Sequence, residues 1–262
     1  MQELTVKIHI LQTQTHYKKV KMDTLKDKVV YITGAGRGLG ESIARVLSKE
    51  GAIIVGVDIR DKLLNGVMKA LKDDNKEALA IKIDVTNEKQ IKDSILQVTD
   101  AYGGIDILIN NAGVDFTMPI EELTVSDWDR AVSVNLRAPF ILSKYILPVM
   151  KKSGNGHIVN VTSTAAKRTW ANASAYHATK WGLLGLSHAL HVEARPYNVK
   201  VTAIVAGGMR TPFLLDRFPD LDVNNLQDPK NVAETIKFVL LQPDETVIPE
   251  VMVLPMRETS WP

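Results

Sequence analysis

From Lys28 onward the chain repeats one theme: a short run rich in β-branched residues, then a stretch long enough for a helix. The runs are KVVYIT (28–33), AIIVGVD (52–58), EALAIKID (77–84), IDILIN (105–110), HIVNVTS (157–163), VKVTAIV (199–205) and EVMVL (250–254). Most are apolar on both faces, as befits parallel strands covered by helices on each side. Stretches such as 38–50, 87–102 and 229–241 supply the crossover helices. The alternation predicts an α/β, doubly wound, mostly parallel sheet of about seven strands with helices on both faces. No linker, repeat or low-complexity tract interrupts it, so residues 26–262 read as a single domain. Residues 1–25 form an N-terminal extension in which Leu4, Val6, Ile8 and Ile10 alternate with Glu3, Lys7 and His9. That pattern fits an added edge strand or a loose extension.

Composition removes several classes of function. With 32 basic and 30 acidic residues the formal net charge is +2, too small a field to point to nucleic acid or a membrane surface. There is no cysteine, hence no disulfide, cysteine-ligated metal or thiol nucleophile. Of the six histidines only His188 and His191 are close in sequence, with no third ligand nearby, so no metal is expected. No apolar run approaches the roughly 20 residues of a membrane span, and MQELTVKIHI lacks the features of a secretion signal. The expectation is a cytoplasmic protein acting on a small molecule.

In a doubly wound sheet ligands bind beyond the carboxyl ends of the strands. The first run passes through TGAGRGLG (Thr33, Gly34, Arg37, Gly38, Leu39 and Gly40 among its residues) straight into a helix. Glycines there allow a sharp turn and close approach to a pyrophosphate, which the free N–H groups of the helix N-terminus hold. Leu39 takes the place of the last glycine of G-x-G-x-x-G, and the pattern is T-G-x-x-x-G-x-G instead. The second run ends at Asp58, whose carboxylate can accept from both ribose hydroxyls and repel a 2′-phosphate, favouring NAD. Arg37 and Arg60 could instead meet that phosphate and favour NADP, and Arg37 reads equally as a solvated turn residue. Asp84 and Val85 close the third run beside the adenine position, where Asp84 also reads as a turn residue. Asn110, Asn111, Ala112 and Gly113 close the fourth, small and polar where a strand edge meets a cofactor.

Tyr176 and Lys180, in SAYHATKWG, stand one helical turn apart, and a nearby ammonium is expected to lower the phenol pKa toward the range useful for proton transfer. Tyr17 and Lys21 share that spacing without any companions. Ser163, at the end of the fifth run, can donate to the same substrate oxygen or simply cap a turn. Asn135 lies in a helical stretch expected to begin at a capping box, Ser126–Asp129. Pro139, four residues on, has no N–H for the Asn135 carbonyl, so a kink is expected, with the freed carbonyl able to hold a proton-relaying water.

These motifs in this order resemble the single-domain short-chain dehydrogenase/reductase family over about residues 26–254. The resemblance implies a Rossmann-type fold, an NAD or NADP cofactor and reversible carbonyl–alcohol oxidoreduction. It also implies Asn135, Ser163, Tyr176 and Lys180 as the catalytic set, with Lys180 also positioning the nicotinamide ribose. Gly207 and Thr211 fall where the family contacts the carboxamide, although Ala206 replaces the usual proline. A homotetramer or homodimer is implied, helices around 127–152 and 175–194 pairing and burying Trp181 and Leu184. Residues 212–226 correspond to a short substrate lid. Pocket candidates are Ala165, Arg168, Trp170, Asn172, His177, Phe213 and Leu214, with Asp115 and Phe116 after the fourth run. Two rivals remain: an NADPH-dependent 3-oxoacyl-thioester reductase, and a nicotinamide-binding regulator without catalysis.

Overall fold

The computed structural model describes residues 24–258. The alternating segment 4–10 therefore lies outside the described residues. Seven strands form one all-parallel sheet in the order β3-β2-β1-β4-β5-β6-β7. They are β1 (Val29–Thr33), β2 (Ile53–Asp58), β3 (Ala78–Lys82), β4 (Ile107–Asn110), β5 (Gly156–Val161), β6 (Val199–Ala206) and β7 (Glu250–Val253). Every run read from the sequence became a strand.

The double apolar character of the runs is resolved by the pleat. In β1, Val30 and Ile32 point into one helix layer, and Val29 and Tyr31 into the other. The first layer is made by α1 (Gly38–Lys49), α2 (Asp61–Asp73) and α8 (Pro229–Leu240), with Ile43, Leu47, Leu64 and Ile236 fully buried. The second is made by α3 (Glu88–Tyr102), α5 (Ala138–Ser153) and α6 (Ser174–Ala194), with Ile91, Ile146 and Leu190 against the sheet. Each such large side chain contributes about 1.5–3 kcal/mol by leaving water.

Between β4 and α5 the chain forms α4 (Val125–Val132) and then a five-residue π-helical turn, Ser133–Arg137. The helix begins two residues before the expected box: Thr124 Oγ1 accepts from the amide of Asp127 and donates to its carboxylate. Threonine at 124, with its acidic partner three positions on, is the better cap because it lies before the first helical residue. At Asn135 the expected kink takes the form of the π turn. Pro139 cannot donate four residues back, and the wider turn carries the chain past that missing bond without ending the helix.

The segment expected as the lid comprises α7 (Pro212–Leu215) and the loop to Val223–Asn225. The strands β1 and β4 lie side by side although β2, β3 and their helices intervene in sequence, so a cleft opens at their carboxyl ends.

Candidate active site

The turn after β1 is shaped by backbone demands. Gly34 and Gly38 have positive φ, 67° and 61°, which side chains with a Cβ rarely adopt. A Cβ on Gly40 would lie 2.1 Å from the Gly34 carbonyl oxygen, so that glycine permits the turn to fold against its own helix. Arg37, the residue before α1, is extended and offers no side-chain cap, leaving the first amides of the helix for a ligand. Gly36, passed over in the sequence, donates its amide to Asp58 Oδ2 at 3.0 Å.

Asp58 is almost fully buried at the end of β2 and also accepts from the Arg60 amide (2.9 Å) and Arg60 Nε (3.1 Å). Arg37 pairs with Asp216 of the lid at 2.7 Å. Both arginines that could meet a 2′-phosphate are thus engaged by carboxylates of the chain. Asp84 Oδ1 accepts from the amide and hydroxyl of Thr86, the turn role the sequence also allowed. Burial pushes the Asp84 carboxyl up, but the two Thr86 hydrogen bonds and Arg130 outweigh it, leaving it below the ordinary range. Its residue and Val85 nonetheless face the cleft.

At the other end Tyr176, Ser163 and Lys180 come together, all buried. Lys180 Nζ donates to the Val161 carbonyl at 2.9 Å and lies 5.5 Å from the Tyr176 ring centre. Ser163 Oγ accepts from the Ala165 amide, capping a 3-10 turn, and the same hydroxyl stands near enough to Tyr176 to act on its phenol. The expected lowering of the phenol is overturned. Burial pushes Tyr176 well above the ordinary tyrosine range, and Asp115 adds to the rise. The Ser163 hydroxyl and Arg217 oppose it without prevailing. Burial likewise drives Lys180 down to about 8, partly offset by Asp115. Desolvation of both groups outweighs their proximity, because each charged form loses its hydration.

Asn135 is fully buried and its side chain is spent on structure: Oδ1 accepts from the Val114 amide, and Nδ2 donates to the Val114 carbonyl and Thr179 Oγ1. Thr33 and Asn111 likewise tie the turns after β1 and β4 together. Ala112 and Gly113 face the cleft, as do Gly34, Leu39, Gly207 and Thr211.

The pocket candidates divide. Trp170, Phe213, Leu214 and Asp115 line the cleft, with Phe213 5.9 Å from Tyr176 between ring centres. Ala165, Arg168, Asn172, His177 and Phe116 do not line it. His177 is a bracket: Nε2 accepts from the Trp170 amide, so Nδ1 carries the proton and donates to the Ala165 carbonyl at 2.9 Å. Asn172 sits in a left-handed turn (φ 66°) whose carbonyl receives the Met118 amide. Arg217, in the lid, was missed; it pairs with Asp115 across 102 positions, a closeness no sequence spacing announces.

The whole cleft measures about 810 Å³, in the range of cofactor and ligand sites. A dinucleotide fits these residues. One end presents the buried Asp58, the middle a turn of positive-φ glycines and an uncapped helix N-terminus, and the far end the Tyr176–Lys180 pair. Among the described residues no helix is long and apolar enough to cross a membrane.

The chain matches the family described as short chain dehydrogenase over residues 28–222. It is 33% identical over 217 residues to an uncharacterized oxidoreductase, YxjF, of Bacillus subtilis, covering 83% of this chain and 84% of that one. An uncharacterized oxidoreductase of Staphylococcus epidermidis is 32% identical, covering 90% of this chain and all of the relative. Among solved structures, a metagenomic short-chain oxidoreductase in complex with NADP superposes with a TM-score of 0.80 at 31% identity, covering 89% and 99% of the two chains. Levodione reductase superposes with a TM-score of 0.83, also at 31% identity, covering 88% and 97%.

Proposed function

The chain belongs to the short chain dehydrogenase family and is an NAD(P)-dependent oxidoreductase, and from that premise we propose that it interconverts a small or medium alcohol and its ketone, with Tyr176 as general acid and base. The observation that carries this reading is the burial of Tyr176, Ser163 and Lys180 together at one end of the cleft whose other end holds Asp58. The nicotinamide, when bound, supplies or accepts a hydride.

In reduction Tyr176 gives its phenolic proton to the carbonyl oxygen as the carbonyl carbon receives the hydride. In oxidation the phenolate takes the hydroxyl proton as the carbon gives up its hydride. Burial raises the Tyr176 phenol, so it carries the proton that the reduction direction consumes. Ser163, its Oγ already accepting from the Ala165 amide, keeps its own proton for the substrate oxygen. Lys180, fixed by the Val161 carbonyl, would hold the nicotinamide ribose and exchange protons with the phenol. A water held by the backbone carbonyl of Asn135, relieved by Pro139 of its usual partner, brings the replacement proton in from solvent during reduction and carries it out during oxidation.

For the dinucleotide we favour NAD. Asp58 stands at the end of β2, where a ribose hydroxyl pair is expected, and Arg37 and Arg60 are already paired. A second reading, NADPH-dependent reduction of a 3-oxoacyl thioester, draws on the same two arginines, which face the cleft and could exchange their carboxylates for a phosphate. Titration with NADH and NADPH separately decides. Tighter NADH binding that Asp58→Ala reverses supports the first reading; tighter NADPH binding supports the second; binding of neither overturns both.

Association is proposed through α5 and α6, where Phe140 and Trp181 are about half exposed. Leu184, expected at that interface, is instead buried within the subunit against Ala166 and Ala203. A monomeric mass by light scattering would overturn the assembly.

A further inference from the structure

Asp115 follows the turn after β4 and faces the cleft beside Tyr176 and Lys180, close enough for its charge to act on both. Its side chain is only 8% exposed. Oδ2 is engaged twice, by the Arg217 guanidinium and by Thr117 Oγ1 at 3.2 Å. Oδ1 is buried and has no hydrogen-bond partner in the protein. A buried carboxylate oxygen left without a donor is costly, so the lone acceptor here has a use.

We propose that Asp115 is a specificity-determining residue whose Oδ1 accepts a hydrogen bond from a hydroxyl of the substrate next to the reacting carbon. The inference rests on the oxidoreductase reading and names its substrate class: neutral vicinal diols and the corresponding hydroxyketones. Charge selects against other donors. Arg217 already neutralises the carboxylate, and Lys180 adds a second cation nearby, so an ammonium-bearing substrate is repelled. An anionic oxygen set against Oδ1 brings it no proton and leaves that acceptor unpaired. Phe213, in ring contact with Tyr176, and Leu214 and Trp170 add apolar wall to the cleft, which suits a substrate with a carbon frame. A hydroxyl on the adjacent carbon supplies the one donor the site lacks, and a plain ketone leaves it unpaired.

The test compares cyclohexane-1,2-diol with cyclohexanol, and 2-hydroxycyclohexanone with cyclohexanone, using whichever dinucleotide binds more tightly. The wild type is expected to prefer the hydroxylated member of each pair by roughly tenfold or more in kcat/KM. Asp115→Asn, with its dinucleotide affinity and thermal midpoint measured to confirm folding, is expected to lose most of that preference. Arg217→Gln, which unfastens the lid but keeps Asp115, is expected to retain it. Equal use of both members by the wild type, or proportional loss of both in Asp115→Asn, overturns this inference alone. So does loss of the preference in Arg217→Gln, which would assign it to the ion pair. A wild type that binds dinucleotide yet turns over none of the four compounds overturns the diol and hydroxyketone assignment while leaving the wider oxidoreductase reading standing. One that binds neither dinucleotide overturns both.

Discussion

The side-chain amide of Asn111 donates to the Thr33 carbonyl at 2.9 Å, while Thr33 Oγ1 accepts the backbone amides of Asn111 and Ala112. Two turns far apart in sequence are thereby one bonded unit, and the cleft floor is their seam. Thr33→Val keeps the shape and removes the acceptor, leaving two amides short of a partner. We expect a loss of roughly 1–3 kcal/mol in stability and weaker dinucleotide binding, read by urea denaturation and by calorimetric titration. Unchanged binding would separate the seam from the cofactor floor.

Tyr176→Phe removes the only proton the proposed chemistry moves directly. The expected result is a fall in kcat of about 10²–10⁴ with dinucleotide affinity retained. Single-turnover reduction alongside binding measurements checks it, and near-normal turnover would dismiss Tyr176 as the acid.

Lys180 is held near 8 by burial, so it loses its charge as pH rises through that value, well below an ordinary lysine. Affinity for the dinucleotide should therefore weaken above about pH 8. Lys180→Arg, whose charge persists, should flatten that limb. A limb that persists in Lys180→Arg belongs to another group.

His157 offers a test away from the cleft. It is buried in β5 beside Thr202, and burial, with Lys200 nearby, drives its pKa from 6.5 to about 3. The unfolded chain therefore takes up this proton first as pH falls. The stability tied to the neutral ring is complete above pH 6.5 and declines toward pH 3, at up to about 1.4 kcal/mol per pH unit. His157→Gln, able to keep the Thr202 contact, should reduce the slope of stability against pH by one proton between pH 5 and 6.5. An unaltered slope would show that His157 is charged in the folded protein.

Pro139→Ala restores the N–H that Asn135 lacks four residues on. We expect the turn at Ser133–Arg137 to tighten toward a regular α-helix and kcat to drop while dinucleotide affinity holds. A crystal structure and steady-state rates decide; a retained π turn with full kcat rejects the carbonyl relay.

How much of this was legible beforehand depended on the range of the interaction. Strand runs could be read because each β1 residue answers to a local pleat, Val30 to one layer and Tyr31 to the other. The glycine turn could be read because its demands are backbone demands. What escaped was set by distant partners or by competition between effects. Arg217 became a site residue only through Asp115, and His177 was absorbed by Ala165 and Trp170. Tyr176 was misjudged because spacing reveals a neighbouring lysine but not the desolvation that outweighs it. The cap moved from Ser126 to Thr124 because two similar sites compete within one turn and only the chain's entry geometry chooses.

The sheet order has a consequence in time as well as space. Val30 pairs with Ile107, so the centre of the sheet cannot close until β2, β3 and their helices have been made and set aside. Such non-local pairing slows folding, because chain entropy is lost before the contact is gained. On a ribosome the half containing β1, β2 and β3 emerges first with one side of β1 unpaired, a strand edge open to wrong partners. The arrival of β4 both seals that edge and builds the seam of Thr33 and Asn111. Closure of the sheet centre and the birth of the cleft are thus the same event, and a newly made chain that binds dinucleotide has by that fact joined β1 to β4.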